Sequence, residues 1–402
     1  MSSRGEKAAG IFGAAFLAAG LLFNDFALLR LLSRDSSIGD AGDRFLLRAA
    51  CVLLIAAGAW LLRARRSPVA AKALLAMLCV LLGAGLAEIG LRVKESVDAE
   101  RDLRVDDPAL HHTLKPNAIQ TQFERGKWIR YATNSLGYRD AAVRQVPKKS
   151  EHKRRIVLLG DSFTAAAHVR DEDSFARRLE GMLRAGGIDA EVLNAGVTSY
   201  SPSLELAKLK RFLADGYSAD EVYLLLDISD IQDEGAIYNH PPPPPPTRRT
   251  RIVQLVHPRL FEALKNAWTL LVQPEDSAYW NNPRANWTER DPATEPWIGE
   301  GVARSQAAIL EIAKLCKAKR MAFTLVIYPW PHQIASEKRP SPHQAIFGTY
   351  ARTRGIALID LFPDFFALSD WRPYYIRGDS HWTELGHAFV AEKLSAYRRT
   401  HK

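Results

Sequence analysis

The sequence predicts an α/β fold with a parallel β-sheet, preceded by three transmembrane helices. Two observations point to the sheet. From about residue 151, short apolar runs alternate with amphipathic stretches. Glycines, serines and prolines fall where strand and helix ends need them. A third observation points to the membrane: dense apolar runs crowd residues 8–91.

A bilayer core needs roughly 20 apolar residues of helix. Candidate spans are residues 8–29, 45–62 and 73–91. Arg4 and Lys7 give the first run a charged start, but it continues through FALLRLL without a small-residue cleavage site. It therefore reads as an anchor and not as a cleaved signal. The loop LLRARRSPVAAKA carries Arg63, Arg65, Arg66 and Lys72 and no acid, which makes it cytoplasmic. The N-terminus is then cytoplasmic as well, and everything past about residue 92 lies outside, in the periplasm or extracellular space of a bacterium with a multi-pass inner-membrane anchor. Asp25 and Glu88 sit near the outer ends of their spans, where the interface accommodates them.

At 402 residues the chain has room for one sizeable catalytic domain and extra segments. Its net charge is +9, and Lys and Arg often flank apolar runs. That suits an anionic membrane surface. No zinc finger, RNP-type aromatic motif or long basic stripe points to nucleic acid. Cys51, Cys79 and Cys316 form neither a disulfide framework nor a metal-ligand spacing and read as small buried apolar groups. The predicted organisation is an anchor over residues 1–92, a connector packing on the domain over 93–150, and the catalytic domain over 151–402.

Residues 93–150 look polar and irregular, with DPALHHTLKPNA and YATNSLGYRD. The adjacent His111 and His112 have poor geometry for a shared metal and read as surface histidines. RRIVLLG is a buried parallel strand closing on a loop. A helix follows, capped by Asp173, with Phe175, Leu179, Met182 and Leu183 on one face and Gly186 and Gly187 ending it. AEVLNAGV is the second strand. Ser201-Pro202 opens the next helix, with Leu206, Leu209 and Leu213 as its stripe and Gly216 as its end. EVYLLLDIS is the third strand.

An insertion at about residues 236–300 then interrupts the pattern. Its six prolines, 241–246, favour polyproline II, a stiff loop over the active-site edge or, alternatively, a docking site. A short helix is expected around residues 258–271. Regularity returns with a helix carrying Ile309, Ile312, Ala313 and Cys316 on its packed face. MAFTLVIYPW is the fourth strand, GIALIDLF the fifth, and a last helix begins near Thr383.

Serine ester chemistry needs a base for the hydroxyl proton, a carboxylate to hold the base, and donors for the oxyanion. Ser162 follows a buried strand and a glycine. The C-terminal ends of parallel strands are where such sites form. Asp379 and His381, in GDSHWTELGH, fall between the last strand and the last helix and can reach the same crevice, with His381 as base and Asp379 as its orienting group. His387, later on the helix, reads as structural. The G-x-S-x-G elbow is absent, because position 164 is Thr. No H-E-x-x-H spacing gathers Asp161, Asp379 and His381 around an ion, so catalysis without cofactor or metal is the simpler account.

These blocks resemble the SGNH (GDSL-type) hydrolase superfamily, and in particular its bacterial membrane-anchored members. Gly160-Asp161-Ser162, Asn194-Ala195-Gly196, Asp227-Ile228-Ser229-Asp230 and Asp379-Ser380-His381-Trp382 carry the resemblance, with NSLGYRD and YPWP beside them, over about residues 105–400. The resemblance implies a flavodoxin-like three-layer α/β/α sandwich. It implies Ser162 as nucleophile and oxyanion donor, Gly196 as a second donor, and Ser229 where the family has an asparagine. One oxyanion donor is worth about 10²–10³ in rate, so this departure bears on hydrolytic power.

The function this predicts is an extracytoplasmic serine esterase or O-acyltransferase acting on acyl esters, acetyl foremost, of envelope glycans. A lipid esterase and a non-catalytic protein that binds glycans or envelope partners are the alternatives. Trp330, Tyr200 and the tryptophans between 280 and 297 are either sugar-stacking or core.

Overall fold

Ten strands run through the residues that the computed structural model describes, which are 3–22, 41–64, 66–149, 152–238, 264, 287, 295–336 and 339–401. They are β1 (Arg104–Asp107), β2 (His111–Leu114), β3 (Ile119–Glu124), β4 (Lys127–Thr133), β5 (Arg139–Asp140), β6 (Arg154–Leu159), β7 (Ala190–Asn194), β8 (Glu221–Leu226), β9 (Ala322–Ile327) and β10 (Ala357–Asp360). The described residues fall into two compact units, one drawn mainly from the chain up to Ala99 and one from Glu100 onward.

In the second unit the five expected runs are β6 to β10, and they are parallel neighbours in the order β10-β9-β8-β6-β7. Numbered along the chain this is 2-1-3-4-5, the doubly wound arrangement whose ligand crevice opens where strand order reverses, beside the first strand. Residues 156–159 are fully buried, as expected for a strand covered on both faces. Each such side chain contributes about 1.5–3 kcal/mol by leaving water.

Right-handed crossovers place the helix after β6 on one face and those after β7 and β8 on the other. The packing agrees. The last helix, Glu384–Thr400, lies on Phe175–Ala185, while Pro296–Ala318 lies on Pro202–Ala214.

The segment expected to be an irregular connector is different. β1 and β2 form a hairpin, and β5, β4 and β3 extend the main sheet antiparallel beyond β7. β3 and β4 are joined by Arg125 and Gly126, both at positive φ (50° and 78°), the backbone of a primed two-residue turn. His112 is not a surface residue either. It is buried, and its Nε2 lies 2.8 Å from the Thr198 carbonyl. The proline run, the helix expected at 258–271 and most of the insertion lie outside the described residues.

The first unit forms three helices over the apolar runs, Ser3–Leu22, Ala41–Ala64 and Pro68–Arg101. Among the described residues, only the last contains a stretch long and apolar enough to cross a membrane, Lys72–Val93. The prediction of three spans is not supported. The first helix starts with Arg4, Glu6 and Lys7 and is described only as far as Leu22. The second carries Asp43, Arg44 and Arg48 near its start, which shortens its apolar part to Cys51–Ala64. Ser3–Leu22 and Ala41–Ala64 meet at glycines: a Cβ on Gly58 would sit 2.6 Å from the Gly13 carbonyl oxygen.

His343 is fully buried against Phe347 and Phe362, and neither ring nitrogen finds a partner among the described residues. Burial pulls its pKa down to about 3. A histidine whose folded pKa lies below its unfolded value near 6.5 contributes fully above pH 6.5 and loses stability as pH falls toward 3, at about 1.4 kcal/mol per unit. Denaturant melts at pH 7 and 5.5 are therefore expected to differ by about 1.4 kcal/mol more in the native chain than in His343→Leu. Equal differences would remove this histidine as the cause.

Candidate active site

The site forms where β6 ends. Gly160 is required there because a Cβ would sit 2.1 Å from Thr164 Oγ1. The chain turns at once into a short helix, Ser162–Ala165, whose N-cap is Asp161: its Oδ1 accepts from the Phe163 N–H at 2.9 Å. Ser162, at the first position of this helix, is half-buried at the strand's C-terminal end.

His381 comes from the turn before the last helix. Its Nε2 lies 2.7 Å from Ser162 Oγ, and its Nδ1 lies 2.6 Å from Asp379 Oδ1. The same oxygen accepts the His381 main-chain N–H at 3.1 Å, so the carboxylate grips both the ring and its backbone. The His381 ring lies on Phe163, centroids 4.8 Å apart. Trp382, fully buried beside Phe163 and Tyr328, anchors the turn from the other side.

Electrostatics fit the geometry. Burial works against a charged His381, but the Asp379 hydrogen bond and the negative charges of Asp379, Asp161 and Asp227 outweigh it and raise its pKa. Burial also works against a charged Asp379. The hydrogen bond and charge of His381 prevail and hold the carboxyl below the usual carboxylate range. Such a series can move a proton from serine to imidazole while a fixed carboxylate supports the imidazolium.

The other two expected site residues are differently employed. The Gly196 N–H donates to Asn194 Oδ1 at 3.1 Å, and is thus already engaged. Asn194 in turn donates from Nδ2 to the Thr164 carbonyl at 2.7 Å, tying the second block to the Ser162 helix. Gly196 serves close packing: a Cβ there would sit 2.4 Å from the Ala165 nitrogen. Ser229, buried, donates its hydroxyl to Asp227 Oδ1 at 2.7 Å, and its N–H goes to the same oxygen at 2.6 Å. A neighbouring carboxylate takes each donor that serine has. The Ser162 N–H, like that of Ser229, stands at a helix start without an intrahelical acceptor, but it has no such carboxylate partner among the described residues.

Trp330, Tyr200 and Trp287 are core, Trp297 is half-buried with its indole on Glu295, and Trp280 lies outside the described residues. Trp330 is buried and donates to Asp227 Oδ2 at 2.7 Å, Tyr200 is buried with its hydroxyl on the His112 carbonyl, and Trp287 is buried with its indole on Ile228. His387 is buried and stacked on Phe175.

Two further residues support the site. Arg139, from NSLGYRD, is fully buried and feeds the carbonyls that leave the Ser162 helix. His168 lies against the His381 ring, centroids 4.5 Å apart, with its Nδ1 on Glu124 Oε1. Neither gave a spacing signal.

Fold and site together define a class: doubly wound α/β proteins with a Ser–His–Asp series at the strand-order reversal. No family model and no curated protein matches the chain. Solved structures similar to it include TesA, at 14% identity with a TM-score of 0.39, covering 61% of this chain and 99% of that one. An acetyl xylan esterase, AlAXEase, has 14% identity and a TM-score of 0.37, covering 60% of this chain and 98% of that one. A lipase/acylhydrolase from Enterococcus faecalis has 14% identity and a TM-score of 0.37, with 62% and 96% covered.

Proposed function

We propose that the chain is a membrane-anchored serine esterase of the SGNH type, or an O-acyltransferase using the same acyl-enzyme. It works on acyl esters of cell-envelope glycans outside the cytoplasm. The observation that carries this reading is the unbroken series Ser162–His381–Asp379, at 2.7 and 2.6 Å.

His381 Nε2 takes the Ser162 proton as Oγ attacks the ester carbonyl. The Ser162 N–H meets the developing oxyanion. The proton then passes from His381 to the departing alkoxide, which leaves as the alcohol, and the acyl group stays on Ser162. Water or a sugar hydroxyl gives its proton to His381 and takes the acyl group, and His381 returns the proton to Ser162 Oγ as that oxygen leaves. That acceptor decides between hydrolysis and transfer. The apolar stretch Lys72–Val93 supports the anchor.

A second reading, a non-catalytic glycan-binding protein of the envelope, draws on one observation: the Gly196 and Ser229 donors are already taken. One experiment separates the two. The purified full chain is given a short-chain chromogenic ester, beside Ser162→Ala. The expected result is turnover that falls by about 10⁴ or more in the variant. Equal rates in both would sink the serine mechanism, and no turnover in either with ester or sugar acceptor would favour the binding protein.

A further inference from the structure

We propose that His168, Asp379 and His381 form a binding site for a divalent transition-metal cation, of which zinc is the type, and that the bound ion switches the triad off. The ligand atoms of the three side chains lie within 4.8 Å of one another. Two imidazoles and a carboxylate are a donor set that suits Zn²⁺, Co²⁺ or Ni²⁺.

His168 is prepared for this role. Its Nδ1 is bonded to Glu124 Oε1, and Glu124 Oε2 is held by Gln122 Nε2 at 3.1 Å. Gln122 Nε2 also donates to the Ala167 carbonyl at 3.2 Å, which ties the arrangement to the loop that carries His168. A carboxylate on one imidazole nitrogen fixes the tautomer and leaves the other nitrogen as a lone-pair donor, the second layer that metal-binding histidines usually have. Among the described residues, His168 Nε2 has no hydrogen-bond partner of its own. Nothing in the proposed ester chemistry uses the Glu124–His168 pair.

The site is open enough to load. Side-chain exposure is 27% for His168, 20% for His381 and 36% for Asp379. A tetrahedral ion with bonds of about 2.0–2.2 Å sets its ligands about 3.4 Å apart, so the side chains close in by about 1 Å. Two of them sit on turns and all three reach solvent, so rotations suffice. A water completes the shell.

The ion competes with catalysis whichever nitrogen of His381 it takes. Nε2 holds Ser162 and Nδ1 holds Asp379, so ligation breaks one bond of the triad. Inhibition therefore rests on the catalytic reading, whereas binding does not.

The test uses the metal-stripped full chain. Co²⁺ is titrated while its visible absorption is followed, and Zn²⁺ affinity is then read by displacement of the cobalt. Expected are one equivalent of cobalt in a four-coordinate spectrum, undiminished binding in Ser162→Ala, and affinity weakened by about 10–100-fold in Glu124→Gln and at least as much in His168→Gln. Zinc inhibits ester turnover of the native chain, chelator reverses it, and the inhibitory concentration rises in His168→Gln by the same factor as the affinity falls. Equal zinc affinity in the native chain and His168→Gln would overturn the proposal, as would the lack of a one-to-one complex. Should the chain turn over no ester, the cobalt spectrum still decides the site.

Discussion

Asp379→Ala lowers kcat by about 10⁴ and leaves KM and thermal stability nearly unchanged. The size follows from what one carboxylate oxygen does. Asp379 Oδ1 holds the His381 ring at 2.6 Å and the His381 main-chain N–H at 3.1 Å, so it sets both the tautomer and the position of the base. Without it, Nδ1 loses its acceptor and the imidazolium loses its counter-charge. Loss of the aspartate from comparable triads costs on the order of 10⁴ in kcat. Stability is spared because the side chain is 36% exposed and anchors no core packing. Steady-state kinetics beside a thermal melt, in the presence of chelator, check both halves. A fall of less than tenfold would show that something else orients His381.

Arg139→Met destabilises the second unit by about 3–5 kcal/mol, the range for removing one side of a buried charged network. The guanidinium is fully buried, 4.5 Å above the Tyr131 ring. Nη1 donates to the carbonyls of Ala165, at 2.8 Å, and Ala166, and Nη2 donates to that of Val169 at 2.6 Å. Those carbonyls end the Ser162 helix and begin its exit turn, where Ala166 holds a left-handed φ of 54°. Methionine fills the volume but leaves them dry and unpaired, so activity falls along with stability. Arg139→Lys is expected to be nearly as damaging, since a single ammonium cannot reproduce the planar fork. Denaturant unfolding followed by tryptophan fluorescence measures the loss. A lysine variant of native stability would show that charge alone is needed.

How much of this the sequence disclosed depends on the kind of interaction. The parallel strands were legible because burial on both faces forces runs such as IVLL and LVI, which little else explains. Ser162, Asp379 and His381 were legible because their strand-end positions converge in any doubly wound sheet. β3 and β4 were missed. Their half-exposed faces alternate QTQ and WIRY among charged residues, and their turn is Arg-Gly without the usual asparagine or aspartate. The Gly196 and Ser229 donors came from resemblance, which predicts residue types but not rotamers. Asn194 and Asp227, each two residues away, intercept them. His168 carried no signal because its partner Glu124 lies 44 positions earlier on a strand that was not seen. The three apolar runs were legible as helices. The length of the second in the membrane sense was not, since the charges that shorten its apolar part lie inside the helix itself.

The antiparallel extension changes where the second unit begins as a folding unit. β5 lies against β7 and brings Arg139 in from that edge. A chain cut at the start of β6 would keep every residue of the proposed triad, yet it would lose β5 and with it the Arg139 bonds to the carbonyls that end the Ser162 helix. The polypeptide between the apolar helix and the parallel strands is thus part of the folded unit that holds the Ser162 helix in place. A protease working in the stretch just after the helix would leave that unit whole, whereas one working past Arg139 would remove a buried support of the Ser162 helix.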